Sequence, residues 1–161
     1  MINKYIIEIK WAMIYIIMTL AWMILEKVSG LHSTHIDKQQ YLTLLYIIPS
    51  IFVYLLALSD KKKNFYSGKI TFMDAFLSGI IMTMIITFFS PFTQWIISYV
   101  ISPEYFPNVI AYCLKTGYFK TQQEAEAFFN FKNFAYQSTL WAFMMGVTTS
   151  AIIAFFIKSK R

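Results

Sequence analysis

The stretch that decides the fold is residues 72–101, FMDAFLSGIIMTMIITFFSPFTQWIISYVI, which carries one charged residue, Asp74, near its start. A helix needs about 17 to 25 mainly apolar residues to cross a hydrocarbon core of roughly 30 Å. Three other stretches are nearly as apolar, and together they predict spans at about residues 6–25, 41–58, 72–101 and 134–157. The sequence therefore predicts an integral membrane protein.

The composition indicates the same class of protein. Hydrophobic residues make up 58% of the chain and charged residues 14%, whereas soluble domains average about 25% charged residues. The apolar runs are continuous, unlike the alternating strands of a membrane β-barrel. We therefore expect an all-α, integral membrane four-helix bundle that forms one domain, residues 1–161.

The distribution of charge predicts the orientation of the bundle. With both termini in the cytoplasm, the inner side carries nine basic and three acidic residues, 9 − 3 = +6, and the outer side carries five of each, 5 − 5 = 0. Cytoplasmic loops of membrane proteins carry an excess of Lys and Arg. We therefore expect cytoplasmic termini, Cys113 on the outside, and the Lys61–Lys63 cluster near anionic headgroups.

The first span is expected to be retained as a membrane anchor. Val28-Ser29-Gly30 has the small residues of a signal-peptide cleavage site, but Glu26 and Lys27 interrupt the approach to it. Helix starts are predicted at Thr34 and Thr71, because each is followed three residues later by an aspartate.

Residues 102–133 form the one sizeable connection outside the spans. Ser102-Pro103-Glu104 predicts the start of one short amphipathic helix, and Gly117 predicts its end. Thr121-Gln122-Gln123-Glu124 is a capping box that predicts a second short helix. An interfacial lid and a peptide-binding cap are both compatible with this pattern.

Small residues recur at every fourth position on one face of two spans. On the third span they are Ala75, Gly79, Thr83 and Thr87, and on the fourth they are Ser138, Ala142, Gly146, Ser150 and Ala154. Helices associate in lipid through close backbone approach and short hydrogen bonds, which such faces permit. We expect these two faces to pack together, with a kink in the third span at Pro91.

The first span carries a polar stripe at three- and four-residue spacing. Its members are Glu8, Ala12, Tyr15, Thr19, Trp22 and Glu26. A stripe of this kind is expected to face protein, with Gln94 and Gln137 as candidate partners, and to keep both carboxylates close to water at the span ends. A structural role and an aqueous path within an oligomer are the two alternatives.

The residues that could carry chemistry form one small group, Glu26, His32, His35 and Asp37. Imidazole and carboxylate groups can hold zinc, but a solvated loop explains the same residues, because structural zinc needs four fixed ligands. No ionisable residue lies in the central part of a span, which is unlike a proton pump. The sequence therefore predicts no catalytic residue and no cofactor. The expected partners are the lipid bilayer and either further copies of the chain or a larger membrane complex, and no nucleic acid.

Several longer motifs carry a resemblance to a known family. They are WMILEKVSGLH at 22–32, ALSDKKKNFYSGKITFMDAFLSG at 57–79, SPFTQW at 90–95, ISPEYF at 101–106 and MGVTTSAIIAFF at 145–156. Together they resemble a family of small bacterial multi-span membrane proteins classed as a domain of unknown function, DUF4199. The resemblance implies a bacterial inner membrane and a four-span topology, and it implies no activity or residue roles.

Three hypotheses for the function follow from these patterns. The favoured one is a non-enzymatic accessory or assembly component, because the chain has small-residue packing faces and no catalytic constellation. The alternative is a small oligomeric transporter or channel-like subunit built around the polar stripe. A metal-dependent membrane enzyme that uses the Glu26 and His32 group is the third.

Overall fold

The computed structural model describes residues 2–159, and these residues form helices and connections without a strand. The helices are α1 Ile2–Val28, α2 Ile36–Leu42, α3 Ile47–Asn64, α4 Phe72–Ile96, α5 Tyr105–Lys115, α6 Gln122–Phe128 and α7 Phe131–Ile157. A 3₁₀ turn, Thr43–Tyr46, joins α2 to α3, and a π-helical turn, Ile97–Ile101, continues α4. The predicted all-α fold class is confirmed.

Within residues 2–159, four helical segments are long and apolar enough to cross a membrane. They are Lys4–Val28, Ile36–Asn64, Phe72–Ile101 and Phe131–Ile157. The second is longer than the predicted 41–58, because α2, the 3₁₀ turn and α3 follow one another without an intervening loop. The short helices α5 and α6 lie between the third and fourth segments, in the order that the capping patterns predict.

Two of the four predicted N-cap residues cap a helix in the structure. The Thr71 hydroxyl accepts a hydrogen bond from the Asp74 N–H at 3.1 Å, and the Thr121 hydroxyl accepts one from the Glu124 N–H at 3.2 Å. The cap predicted at Thr34 is wrong, because α2 begins one residue later, after His35, whose side chain makes no capping bond.

The cap predicted at Ser102 is also wrong. The N-cap of α5 is Glu104, which makes no side-chain capping bond, while the Ser102 hydroxyl bonds to the His32 ring. A longer-range polar contact has therefore replaced the local one. The end of α5 agrees with the sequence pattern, since Gly117 follows it with a φ of +74°, a conformation that favours glycine.

The two ends of the bundle differ in structure. At one end lie α5 and α6, and we call it the α5–α6 end. At the opposite end the backbone of Ile70, in the α3–α4 connection, pairs with Ser159 through bonds of 2.9 and 3.1 Å. Lys4 lies at this opposite end as well, because its carbonyl accepts a bond from Lys61. Lys160 and Arg161, which contribute to the predicted inner charge, lie outside the described residues.

The apolar core lies between the four spans, in the half of the bundle toward the opposite end. It is formed by Ala12 of α1, by Val53, Tyr54, Ala57 and Leu58 of α3, by Met82 and Ile86 of α4, and by Ile153 of α7. All four long segments therefore contribute to one core, and none of them packs as a separate unit.

The small-residue faces of α4 and α7 meet in this half. A Cβ atom added at Gly79 would lie 2.4 Å from the Ser150 hydroxyl, and one added at Gly146 would lie 2.5 Å from the Thr83 side chain. Thr83 and Ser150 are fully buried. The two backbones thus approach each other more closely than any larger side chain would allow.

The faces separate toward the α5–α6 end. Ser138 and Ala142 are half-buried, and the Ser90 hydroxyl donates to the Ser138 hydroxyl at 3.3 Å. Pro91 lies inside α4, which continues to Ile96 before the π-helical turn begins.

Replacing Gly79 or Gly146 with leucine is expected to force α4 and α7 apart. Overpacking of a tight site costs about 1 to 3 kcal/mol of unfolding free energy. Thermal unfolding in detergent measures this loss. Ile81→Leu, which nearly conserves volume at a half-buried position of α4, is the control and should lose less. Equal melting of all three variants would contradict this packing.

The orientation of the bundle is testable with introduced cysteines. Cys113 itself is a poor probe, because it is 6% exposed and burial raises the pKa of its thiol. In a Cys113→Ala background, Ser33→Cys at the α5–α6 end should react with a membrane-impermeant maleimide in intact spheroplasts. Asn64→Cys, at the opposite end, should react only after lysis. The reverse pattern would contradict cytoplasmic termini.

Candidate functional site

A buried ion pair joins three spans near the opposite end. The Lys61 ammonium lies 2.9 Å from Glu8 Oε1, and the Ser78 hydroxyl donates to the same oxygen at 2.7 Å. Lys61 also donates to the Lys4 carbonyl at 2.5 Å, and both charged side chains are 3% exposed. Because an isolated charge is costly to bury, each of these groups depends on the other.

The predicted lysine cluster at anionic headgroups is wrong for Lys61. Successive residues on a helix point about 100° apart, as 3.6 residues make one turn. Lys61 therefore faces α1, while Lys62 donates to the Ile157 carbonyl at 2.7 Å and Lys63 is exposed.

The middle of the polar stripe on α1 is bonded to the second span. The Tyr15 hydroxyl donates to Ser50 at 3.3 Å, and the Thr19 and Tyr46 hydroxyls are 2.6 Å apart. Thr19 gives its own proton to the Tyr15 carbonyl at 2.9 Å, so Tyr46 is the donor between the two. The stripe faces protein, but the partners of its middle residues come from this second span and not from the predicted Gln94 and Gln137.

A second buried cluster lies at the α5–α6 end. The Trp22 indole donates to Glu26 Oε1 at 2.5 Å, and His32 Nε2 lies 3.2 Å from Glu26 Oε2. His32 Nδ1 is 2.7 Å from the Ser102 hydroxyl. A neutral ring with its proton on Nε2 satisfies both contacts, donating to the carboxylate and accepting from the serine. Neither carboxylate of the stripe is close to water as predicted, because Glu8 and Glu26 are 3% and 2% exposed.

Helix α5 is attached to this cluster. The Asn108 amide donates to the His32 carbonyl at 2.9 Å, and the Tyr105 ring packs edge-on against the His32 ring with centroids 5.1 Å apart. Burial, with a further contribution from the charge of Glu26, raises the pKa of Tyr105 to about 12. Tyr105 is therefore protonated at neutral pH, and its hydroxyl donates to Gln39 at 3.4 Å.

The four candidate metal ligands are not brought together. Glu26 and His32 meet, whereas His35 and Asp37 are exposed at the start of α2. Among residues 2–159 the structure contains no group of three or more His, Cys, Asp or Glu side chains that could hold a metal ion. The Glu26–His32 pair instead connects α1 to the end of the third span and to α5.

A cavity of about 300 Å³ lies between the four spans, in the half toward the α5–α6 end. Its polar lining residues are Tyr15, Thr19, Tyr46, Ser50, Ser90, Thr93, Gln94, Ser138 and Thr149, and the others are Ile16, Met23, Ile47, Ile51, Ile86, Ile97, Trp141, Ala142, Met145 and Gly146. The lining thus combines apolar surface with hydroxyl and amide groups, and it contains no Asp, Glu, Lys, Arg or His. Below it, Tyr54 and Thr83 are hydrogen-bonded at 2.8 Å and lie against Gly146.

A second cavity, of about 200 Å³, lies directly above the first at the α5–α6 end. The two share Met23, Gln94 and Ile97 as lining residues. The upper cavity also contacts His32 and Tyr105, so it extends from the buried Glu26 cluster toward the middle of the bundle. The two cavities are therefore neighbours along the bundle, and Tyr54 and Thr83 lie against Gly146 at the lower end of the first.

Sequence reasoning missed most of the partners in these sites. Lys61, Ser78, Ser102 and Asn108 each bond to a residue at least 50 positions away in the chain. One available signal was the group of polar residues around Pro91, Ser90, Thr93 and Gln94, which lie together on one side of a membrane helix and all line the cavity.

These features define an α-helical integral membrane protein. Apolar side chains such as Phe88 and Phe156 are 79% and 78% exposed, as lipid-facing residues are expected to be, while charged side chains are paired inside. The chain belongs to the family described as Protein of unknown function (DUF4199), whose model matches residues 10–159. The resemblance noted in the sequence is thereby confirmed. No curated protein and no solved structure matches the chain.

Removing Lys61 is expected to destabilise the bundle strongly. Lys61→Met leaves the buried Glu8 carboxylate without its cation, and breaking a buried pair in this way costs about 3 to 5 kcal/mol. Lys63→Met is the matched control, since Lys63 is exposed on the same helix and an exposed charge contributes about 1 kcal/mol or less. Thermal unfolding in detergent compares the two.

A double variant checks the cause of that loss. Adding Glu8→Gln to Lys61→Met removes the uncompensated charge, so the double variant should melt above Lys61→Met alone. If it melts at the same temperature, or if Lys61→Met behaves like Lys63→Met, the ion pair does not hold these spans together.

Proposed function

We propose that this protein is a non-enzymatic accessory or assembly component of a membrane. The observation that carries the proposal is that the buried carboxylates of the described bundle are bonded to other side chains of the protein. Glu8 is paired with Lys61, and Glu26 is bonded to Trp22 and His32. Proton pumps and acid–base enzymes use an ionisable group that contacts the substrate and changes its protonation state. The groups in these clusters connect helices, and among them His32 also lines the upper cavity.

The same proposal includes the place of the protein in the cell. We propose a bacterial inner membrane with both termini in the cytoplasm, supported by the predicted charge of +6 on one side and zero on the other. The exposed apolar faces of the spans are then available to lipid, to further copies of the chain or to a larger membrane complex.

A small transporter or channel-like subunit is the second candidate. The cavity between the spans favours it, because a polar-lined space within a bundle is where a transported molecule would bind. A carrier must expose this space to each side of the membrane in turn. In the described structure the lower end of this space meets Gly146, against which the hydrogen-bonded Tyr54 and Thr83 side chains pack.

Cysteine labelling from the two sides distinguishes the candidates. In a Cys113→Ala background, Thr19→Cys places a thiol in the cavity lining. An accessory protein should react with an impermeant maleimide from the α5–α6 side at most, whereas a carrier should react from both sides. Reaction from both sides would overturn the accessory role.

Three control variants are needed to interpret the labelling of Thr19→Cys. Thr148→Cys lies on the exposed face of α7 outside the cavity lining, so it reports reaction with a lipid-facing thiol. Ser33→Cys and Asn64→Cys, which are exposed at the two ends, show that the reagent reaches each side of the membrane.

A further inference from the structure

We propose that the cavity between the four spans binds an uncharged lipid whose headgroup carries hydroxyl groups, such as a monoacylglycerol or a long-chain alcohol. The headgroup occupies the cavity, and the hydrocarbon chain passes between α3 and α7 into the bilayer. This site is independent of the proposed accessory role, since a structural component and a carrier could each hold such a lipid.

The hydroxyl groups of the lining favour a ligand that donates hydrogen bonds. Four lining hydroxyls donate their protons to backbone carbonyls three or four residues earlier, and they are Thr19, Ser50, Thr93 and Ser138. A hydroxyl has one proton and two acceptor lone pairs. With its proton held by the backbone, each of these oxygens has only acceptor capacity. Three of them already accept one protein hydroxyl, Thr19 from Tyr46, Ser50 from Tyr15 and Ser138 from Ser90. One lone pair on each of these three oxygens and two on Thr93 remain for a ligand. A hydroxyl-bearing headgroup supplies the donors that these oxygens accept.

The absence of charged side chains from the lining favours a neutral ligand. The side chains around the cavity include no Asp, Glu, Lys, Arg or His. A carboxylate, phosphate or ammonium group placed there would lose its hydration without gaining a counter-charge, which costs several kcal/mol or more. Fatty acids, phospholipid headgroups and quaternary amines are therefore disfavoured relative to a neutral alcohol.

The walls of the cavity indicate the route of entry. Hydrogen bonds join α1 to the second span at Tyr15 and Thr19, and α4 to α7 at Ser90. Between α3 and α7 the lining consists of side chains that are themselves exposed on the bundle. These are Ile47 at 38%, Ile51 at 44%, Trp141 at 60% and Met145 at 37% exposed. The cavity therefore opens sideways toward the hydrocarbon region, where a lipid is present and a water-soluble molecule is not.

The size of the space fits part of a lipid. A volume of about 300 Å³ lies at the lower end of the range of small-molecule sites, roughly 300 to 1,000 Å³. It can enclose a headgroup and the first carbons of a chain, while the lateral opening leaves the remaining chain in the bilayer. A fully enclosed ligand would need a larger cavity without such an opening.

Photolabelling tests the proposal on the full chain in phosphatidylcholine liposomes. The probe is a long-chain alcohol that carries a diazirine near its hydroxyl group. Labelling should map to peptides that line the cavity, and a monoacylglycerol should compete. Its fully O-methylated analogue, which has the same body and no donor, should compete at least about fivefold less well, the ratio that corresponds to one hydrogen bond of about 1 kcal/mol.

Two variants with matched controls locate the site. Ala142→Phe fills the cavity and should reduce specific labelling about tenfold or more, whereas Thr148→Phe, on the exposed face of α7, should not. Thr93→Val removes one acceptor at nearly constant volume and should weaken competition by the monoacylglycerol about fivefold. Thr148→Val removes a hydroxyl with the same backbone bond outside the cavity and should have no effect. Because Thr93→Val conserves volume, it tests the site even if Ala142→Phe fails to fold.

Several results would overturn the proposal. Labelling spread evenly over the outer faces of the spans would show a lipid annulus without a site. If the O-methylated analogue competes as well as the monoacylglycerol, the acceptors do not contribute to binding. The same conclusion follows if the monoacylglycerol competes equally well in Thr93→Val and Thr148→Val. Stronger competition by a long-chain fatty acid would contradict a neutral ligand, and competition by free glycerol would indicate a water-soluble ligand entering through the upper cavity.

Discussion

The hydrocarbon core of a bilayer offers no hydrogen-bond partners, and this constraint determines how the protein uses its polar groups. The backbone of each span must be helical, because a helix satisfies its own N–H and C=O groups. The same condition applies to side chains, and among the described residues the buried Thr87 hydroxyl is the exception, since it has no partner. Thr83, Ser150 and Thr93 donate to carbonyls one turn earlier in their own helices, and Glu8 and Glu26 are bonded to partners from other elements. Polar groups therefore serve as the connections between spans whose apolar surfaces give little preference for protein over lipid.

The extent to which the sequence predicts this structure depends on the range of the interaction concerned. The presence of four spans and the caps at Thr71 and Thr121 depend on residues close together in the chain, and both agree with the structure. The equally local caps predicted at Thr34 and Ser102 are wrong. The partners of Glu8 and Glu26 depend on which spans are neighbours, which periodicity on a single helix does not encode. A buried carboxylate requires a hydrogen-bond donor, so the sequence predicts that Glu8 has a donor as its partner. It does not indicate which of the chain's many lysines this donor is.

The small-residue faces show a second limit of sequence reasoning. The same spacing of small residues gives close packing in one part of α4 and α7 and a cavity in another. At Gly79 and Gly146 the small residues allow close contact, because Ser150 and Thr83 fill the space opposite them. At Ser138 and Ala142 the helices do not close to the same extent, and the small side chains leave a cavity. Spacing in the sequence is identical in both regions, so only the geometry of the neighbouring spans separates packing from open volume.

The charged clusters hold α1 in place beside the cavity. This helix is attached near one end through Lys61 and near the other through His32, with Thr19 bonded to Tyr46 between them. The helix is therefore held at its two ends by charged contacts and in the middle by hydroxyl groups that lie on the cavity wall. These contacts fix the position of α1, so the hydroxyl groups of Tyr15 and Thr19 lie on the wall of the lower cavity. The upper cavity is bounded by the other polar cluster, through His32 and Ser102. The two charged contacts thus lie at opposite ends of the helix, while neutral groups line the lower cavity between them.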